Sequence, residues 1–249
     1  MSILGLTIDY GPYGWLEDYD PDWTPNTTDA EGRRYRFRNQ PDIALWNLVQ
    51  LGNALYPLIE DIASMEQVLN SYSQQFDSQF PILQQQKLGL QAEYDAPFQD
   101  ELTTLLTASE TDMTIFYRNL SNVEKTDTSD EALAKITLAF YQPDKIVTTL
   151  KTSWLNWMEL YLEKIKAEVL SDEERKQAMN TINPKYVLRN YMAQLAIEAA
   201  EKEDYTLIDE LYTLLKNPYD EQPQYEKWFA KRPDWARHKV GCSMLSCSS

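Results

Sequence analysis

The sequence predicts a mainly α-helical protein with a short β-strand or hairpin at its N-terminus. Only 7 of the 249 residues are glycine, while the helix-forming residues Leu, Ala, Glu, Gln and Lys are plentiful. Beyond residue 40, apolar residues recur at spacings of three and four, which is the period of one helix face. A chain of this length can bury one sizeable core.

The short strand is predicted at residues 2–8, which alternate loosely in polarity and end at Asp9-Tyr10-Gly11. In kinase-like enzymes, a strand that ends in such a triplet delivers a metal-binding aspartate to the phosphates of ATP. The triplet alone is a weak signal, because Asp and Gly also follow strands for backbone reasons.

A long ordered loop is predicted to follow over residues 9–40. Within it, Asp18, Asp20 and Asp22 alternate as the oxygen ligands of a calcium loop do. Trp23, however, stands where an EF-hand needs glycine. A solvated acidic loop is therefore the better interpretation, and calcium binding is a weaker alternative.

A basic stretch in the same loop consists of Arg33, Arg34, Arg36 and Arg38. Because the chain has a net charge of −16, we expect no nucleic-acid partner and no anionic membrane surface. We expect these arginines to pair with the nearby acidic residues Glu17, Asp18, Asp20 and Asp22, or to contact a phosphate or peptide. No apolar run approaches the roughly 18 residues of a membrane helix.

Helices are predicted from residue 41 onward, and prolines and caps mark their starts. The starts are Pro41, about Ser64, Pro81, Ser129, Pro143 (opening the longest helix), the capping box Ser171–Glu174, and Asn183-Pro184. A last leucine stripe ends before Asn217-Pro218. These stripes are expected to build the core.

His238 is the only histidine, which nearly excludes a His-based triad or a His-rich metal site. Cys242 and Cys247 both lie near the C-terminus, so a disulfide framework is excluded and a reducing compartment is the default. Two thiolates cannot fill a zinc tetrahedron. From spacing alone, incidental cysteines and a reversible redox pair are equally good interpretations.

Several long strings, in order along the chain, resemble the selenoprotein O family. They are Ile3–Tyr19, Asn39–Leu48, Asn183–Gln194, Asn217–Gln222 and Cys247–Ser249. The resemblance implies the helical large lobe of a protein-kinase-like fold. It would place a catalytic strand and activation-type loop in residues 1–40, a helical lobe in 41–217 and a cysteine-bearing tail in 218–249.

The resemblance implies an adenylyltransferase that moves AMP from ATP onto hydroxyl side chains of other proteins, with Mg²⁺ as cofactor. Asp9 matches the family's DFG-type aspartate, which binds Mg²⁺ and contacts the nucleotide. Cys247 matches a position that is selenocysteine in some members. Some members pair that residue with a cysteine of the activation segment, but the corresponding residue here is Pro25, which leaves Cys242 as the only intramolecular partner.

In the family, the catalytic aspartate, a second metal-binding asparagine and the small-lobe nucleotide site all precede the segment that begins here at Met1. We therefore expect this chain alone to hold neither Mg²⁺ nor ATP usefully and to be inactive, because transfer needs groups that converge from both lobes. The alternative is a non-enzymatic helical interaction module. The family implies the cytoplasm of a bacterium or the mitochondrion of a eukaryote.

Overall fold

The computed structural model describes residues 4, 14–25, 32–92, 94–239 and 242. Within these residues the chain is predominantly helical, which confirms the mainly α prediction. The strand predicted at 2–8 lies outside the described residues except for Leu4, which lies in a turn. Extended pairing in the described part is limited to two isolated bridges, Asp18 with Asp112 and Thr111 with Phe140.

The chain divides into two compact units. The first contains residues 1–14, 21–83 and 244–249, and the second contains residues 15–20 and 84–243.

The first unit is built on two long helices, α1 (Gln40–Ile59) and most of α2 (Ile62–Lys87). α1 has a proline in its first turn, as predicted, where the missing N–H costs no helical hydrogen bond. It ends at Ile59. The C-cap residue Glu60 donates its N–H to the Tyr56 carbonyl at 2.8 Å, and its left-handed φ of 53° then turns the chain out of the helix. Neither helix contains a buried residue, so the predicted apolar stripe of α1 forms no core within this unit.

α2 continues through Pro81, so the prediction that this proline starts a separate helix is wrong. A proline inside a helix removes one backbone hydrogen bond. The flanking residues are mostly Gln, Leu and Lys, which are strong helix formers, and no second breaker is near. A helix of 26 residues therefore absorbs the loss and is longer than the helix that was predicted to be the longest.

The arginine stretch pairs with one aspartate of the acidic loop, as predicted. Arg36 Nη1 and Arg38 Nη2 lie 3.0 and 2.8 Å from the same oxygen of Asp22. The Arg34 guanidinium lies 4.0 Å above the centre of the Trp46 ring.

The main core of the second unit lies among α3 (Ala96–Ala108), α4 (Met113–Leu120), α5 (Ser129–Ile136) and α6 (Thr148–Ala167). Trp154, Trp157 and Tyr161 of α6 are fully buried, which confirms the stripe predicted for this helix. Trp157 stacks between Phe98 and Tyr161, with ring centroids 5.0 and 5.3 Å apart. Burial of three large aromatic side chains makes α6 the centre of the fold.

The polar atom of each of these buried aromatic side chains also forms a hydrogen bond. Trp154 Nε1 donates to the Ser109 hydroxyl at 2.7 Å, and Trp157 Nε1 donates to the Phe98 carbonyl at 3.2 Å. The Tyr161 hydroxyl donates to the Leu88 carbonyl at 2.8 Å. The core therefore gains apolar burial without an unpaired polar group on these rings.

Capping explains where two helices begin. The predicted capping box at Ser171 and Glu174 is present and opens α7 (Asp172–Ile182). An equivalent box, Thr128 with Glu131, opens α5. Pro143, in contrast, opens only a 3₁₀ turn, and α6 begins at Thr148 because Val147 is extended, with φ −127° and ψ 162°.

The helix predicted from Asn183-Pro184 begins only at Asn190, as α8 (Asn190–Ala200). Two contacts explain the delay. The backbone N–H groups of Lys185 and Tyr186 both donate to the Pro218 carbonyl, at 2.8 and 3.0 Å. The Asn183 side chain does not cap a helix but donates to the Lys87 carbonyl at 2.9 Å. The final leucine stripe forms α9 (Thr206–Leu215), as predicted.

None of the helices in the described part of the chain combines the length and apolar character needed to cross a lipid bilayer.

Gly89, after α2, should tolerate no side chain. Its φ is +68°, and an added Cβ would lie 2.6 Å from the Sδ of Met179 and 3.0 Å from the Cγ of Arg175. Both side chains are fully buried. We expect Gly89→Ala to lower the free energy of unfolding in urea by about 1–3 kcal/mol, through backbone strain and overpacking.

Gly52 is the matched control for this prediction. It lies inside α1, and an added Cβ would meet only the mobile end of Met65, at 3.2 Å. We expect Gly52→Ala to leave stability unchanged or to raise it by a few tenths of a kcal/mol. Equal losses in both variants would contradict the argument.

Lys87 should make stability depend on pH in the alkaline range. Its Nζ donates to Asn183 Oδ1 at 3.0 Å and lies 4.2 Å above the Tyr117 ring, and burial lowers the pKa of Lys87 from 10.5 to about 8. Between these values the unfolded chain holds a proton that the folded chain has lost, so stability rises with pH. We expect the unfolding free energy of the parent, minus that of Lys87→Met, to increase from pH 8 to 10.5. A pH-independent difference would refute this.

Candidate functional site

Asp9, the residue predicted to bind metal and nucleotide, lies outside the described residues, as does Cys247. The structure describes the chain that follows Asp9 from Gly14 to Pro25. Residues 15–20 of that segment belong to the second unit and are here called the anchored segment.

The side chain of Asn190, the first residue of α8, binds the backbone at the start of the anchored segment. The Trp15 N–H donates to Asn190 Oδ1, and Asn190 Nδ2 donates to the Trp15 carbonyl, each at 3.0 Å. The Asn190 N–H donates to Glu17 Oε1 at 3.2 Å. Asn190 and Glu17 are buried, so the bond between them is shielded from water, whereas the two bonds to the half-buried Trp15 are partly shielded.

Glu17 is the buried carboxylate of the anchored segment, with only 3% of its surface exposed. Burial raises the pKa of Glu17, although nearby Arg232 and Arg189 oppose the shift. Arg232 Nη1 lies 3.2 Å from Glu17 Oε2. Sequence reasoning expected Glu17 to pair with the nearby arginine stretch, whereas its partner comes from the opposite end of the chain.

Arg232 joins the anchored segment to the helical core. Its Nη2 lies 3.1 Å from Asp18 Oδ1 and 3.7 Å from Glu110 Oε1. Arg237 also pairs with Glu110. Burial alone would raise the pKa of Glu110, but the bonds from Arg237 and Gln142 hold it below its usual value.

Asp112 and Arg189 form a buried ion pair beside the anchored segment. The two terminal nitrogens of the guanidinium, Nη1 and Nη2, both donate to the carboxylate, with Nη2 3.0 Å from Oδ1. Asp112 also caps α4, because its Oδ1 accepts the Ile115 N–H at 3.0 Å. Burial alone would lower the pKa of Arg189, but Asp112 raises it above its usual value.

Tyr141 lies between the Asp112–Arg189 pair and the two arginines that contact Glu110, Arg232 and Arg237. Its hydroxyl lies 3.4 Å from Asp112 Oδ2 and accepts a hydrogen bond from the backbone N–H of Arg232 at 3.1 Å. The guanidinium groups of Arg232 and Arg237 lie 5.2 and 5.0 Å from the centre of its ring. Burial, with Asp112 nearby, raises the pKa of Tyr141, so the hydroxyl stays protonated.

The carboxylates of this network do not fit a metal ion. Arg232 forms ion pairs with Glu17 and Asp18 of the anchored segment. Outside this network, in the first unit, Arg36 and Arg38 form ion pairs with Asp22. In the described residues, no group of three His, Cys, Asp or Glu side chains is arranged to hold a metal. The network can position backbone and exclude water, and the pairings of Asp18 and Asp22 compete with the calcium alternative.

Cys242 is a free and buried thiol in the described part of the chain, and burial raises the pKa of its thiol. A higher pKa lowers the thiolate fraction at neutral pH and so slows disulfide exchange. The redox role predicted for Cys242 and Cys247 stays a prediction.

The anchoring residues were missed by sequence reasoning, which named none of Glu110, Asp112, Arg189, Asn190, Arg232 or Arg237 as site residues. One signal was available. Arg189 and Asn190 lie within Asn183–Gln194, one of the strings that carried the family resemblance. The long separations in sequence, such as 173 residues between Glu17 and Asn190, left no local pattern for the others.

The anchoring by Asn190 predicts a local change in hydrogen exchange. Asn190→Ala removes the acceptor of the Trp15 N–H, and a hydrogen bond of about 1–1.5 kcal/mol corresponds to roughly tenfold faster exchange of that amide. Gln194→Ala, on the same helix, removes a side-chain bond to Glu198 and should leave Trp15 unaffected. Unchanged exchange at Trp15 in Asn190→Ala would contradict the anchoring role.

Comparison with known proteins finds relatives that carry the name protein nucleotidyltransferase. A protein nucleotidyltransferase YdiU from Flavobacterium johnsoniae is 59% identical over 251 residues, covering 100% of this chain and 48% of the relative. The relatives of that name from Rhodopirellula baltica and Aromatoleum aromaticum are 49% and 48% identical, with 48% and 47% of their lengths covered. The chain thus spans about half the length of the curated relatives it matches.

The model of the family described as protein adenylyltransferase SelO matches residues 1–216. The chain therefore belongs to the SelO family, which confirms the resemblance seen in the sequence.

Proposed function

We propose that this chain is the helical lobe of a protein adenylyltransferase, which transfers AMP from ATP to hydroxyl side chains of proteins. The supporting observation is the anchored segment that follows Asp9-Tyr10-Gly11. A buried network of Asn190, Arg232 and Glu17 holds it, as a segment next to a nucleotide site requires.

In this proposal Asp9 contacts Mg²⁺ and, through it, the phosphates of ATP. When bound, Mg²⁺ neutralises the charge that develops on the phosphates during transfer. Residues 1–40 carry the strand and activation-type loop, 41–217 the helical lobe and 218–249 the tail. The partners are ATP and protein substrates, and we propose the bacterial cytoplasm because the relatives named above are bacterial.

We expect the 249 residues by themselves to transfer no AMP. One carboxylate cannot recruit Mg²⁺ and ATP effectively, because Mg²⁺ gives up its water reluctantly and needs several ligands. Transfer also requires groups that converge on the nucleotide from more than one side. Incubation with labelled ATP, Mg²⁺ and acceptor proteins, followed by mass spectrometry for AMP adducts, measures this directly.

A chimera tests the proposal itself. The 251 matching residues of the Flavobacterium johnsoniae relative are replaced by this chain. We expect the chimera to transfer AMP to proteins and expect Asp9→Ala within it to lose at least a hundredfold in rate. Glu163→Ala, on the exposed face of α6, is the matched carboxylate control and should keep the rate of the chimera.

The intact relative must transfer nucleotide in the same assay, and thermal unfolding must show that each chimera is folded. A folded chimera without transfer, or one whose Asp9→Ala variant keeps its rate, would overturn the proposal.

The second candidate is a non-enzymatic helical interaction module. It is favoured by one observation, the half-buried and exposed apolar faces of α1 and α2. Binding of a protein partner by this chain, together with an inactive chimera, would favour the module.

A further inference from the structure

An apolar groove lies between α1 and α2, both within the first unit. Its volume is 430 Å³, and residues of both helices line it, including Leu51, Leu55, Ile59, Met65 and Val68. Ile59 and Val68 are 50% and 68% exposed. The Met65 side chain of α2 reaches α1 at Gly52, where an added Cβ would lie 3.2 Å from Met65 Cε.

A hydrogen bond and a row of aromatic rings lie beside the groove. The Tyr72 hydroxyl of α2 donates to the Pro41 carbonyl of α1 at 3.1 Å, which ties the two helices together. Tyr72, Phe76 and Phe80 stack along α2, with centroids 6.5 and 5.2 Å apart. An exposed apolar groove between two helices is a site where an amphipathic helix can lay its apolar face.

Residues 39–86, which include the helical parts that form this groove, carry charge of one sign, and the cationic Arg34 lies over Trp46 near the start of α1. Residues 39–86 contain no Lys, Arg or His. They contain five carboxylates, Asp42, Glu60, Asp61, Glu66 and Asp77. Glu66 lines a smaller apolar pocket of 340 Å³ that shares Gly52, Met65 and Leu69 with the groove.

We propose that this groove binds a basic amphipathic helix of a partner protein, with its apolar face between α1 and α2 and its Lys or Arg residues against the surrounding carboxylates. The charge selects this occupant. Residues 39–86 of a second copy, laid in the groove, would bring five more carboxylates and no cation, and like charges repel. This inference concerns binding alone and stands whether or not the chain takes part in AMP transfer.

A designed peptide tests the proposal with the full 249-residue chain. A helix about as long as α1 needs roughly 18–20 residues, and the labelled probe carries a Leu/Ala face and a Lys face. Fluorescence anisotropy should show micromolar binding of this peptide. A matched peptide with Glu in place of every Lys should bind at least tenfold more weakly.

Variants locate the site. Val68→Lys places a cation in the groove wall and should weaken binding of the Lys peptide at least tenfold. Val169→Lys is the matched control, because Val169 is 93% exposed and belongs to the second unit. Replacing Glu60 and Glu66 by Gln should weaken binding severalfold at low salt, with a smaller effect as salt screens the charges. Circular dichroism checks that each variant keeps its helices.

Equal binding of the two peptides, or unchanged binding by Val68→Lys, would overturn the proposal. Sedimentation that shows a dimer lost in Val68→Lys would also overturn it, because a second copy would then occupy the groove.

Discussion

Arg189→Ala is expected to lower the free energy of unfolding by about 3–5 kcal/mol, the range for breaking a buried ion pair from one side. Asp112 is 0% exposed, and its carboxylate accepts hydrogen bonds from both terminal nitrogens of the Arg189 guanidinium. Without Arg189, the charged Asp112 carboxylate stays buried, and only the N-terminus of α4 and the Tyr141 hydroxyl remain to stabilise its charge. Denaturation in urea at neutral pH measures the loss.

A second substitution separates the buried charge from lost packing. Asp112→Asn in the Arg189→Ala background removes the unpaired charge and keeps a good helix cap, so part of the stability should return. Arg237→Ala is the control, because its pair with Glu110 is partly exposed and is worth about 1 kcal/mol or less. Equal losses from Arg189→Ala and Arg237→Ala would contradict the account.

Trp157→Ala is expected to cost about 3–5 kcal/mol, the range for replacing a buried Trp or Phe by Ala. Trp157 is fully buried, stacks on Phe98 and Tyr161, and contacts Trp154 edge-on at 6.1 Å. Its loss leaves a cavity at the centre of the core that the surrounding rings cannot fill without leaving their stacked geometry.

Trp235→Ala provides a control of the same residue type. Trp235 is 47% exposed and meets Tyr191 edge-on, with ring centroids 6.3 Å apart. We expect its replacement to cost about 1 kcal/mol, because exposed aromatic pairs contribute little beyond their buried area. A cost for Trp157→Ala no greater than that for Trp235→Ala would show that the stack is not the centre of the core.

The sequence predicted those helices whose starts are determined locally. The box at Ser171 and Glu174 satisfies its own backbone donors, and the stripe of α6 reports burial directly. Prediction failed where distant residues compete for the same backbone. Asn183-Pro184 has the pattern of a helix start, yet Lys185 and Tyr186 donate to Pro218, and a local pattern carries no information about that partner.

The candidate site divides in the same way. Asp9 came from the family resemblance, and its role as a metal ligand stays a proposal. Asp22 pairs with Arg36 and Arg38, a pairing that proximity in sequence predicted. Glu17 does not pair with the arginines that are near it in sequence. It is buried and needs a partner that is also largely buried, and Arg232 has only 15% of its side chain exposed.

The pairing of Glu17 with Arg232 has a consequence for biosynthesis. The ribosome makes Glu17 more than two hundred residues before Arg232, so the direct ion pair of this carboxylate can form only late in translation. The bonds of the anchored segment to Asn190 can therefore form before its ion pairs with Arg232, because Asn190 is made 42 residues earlier.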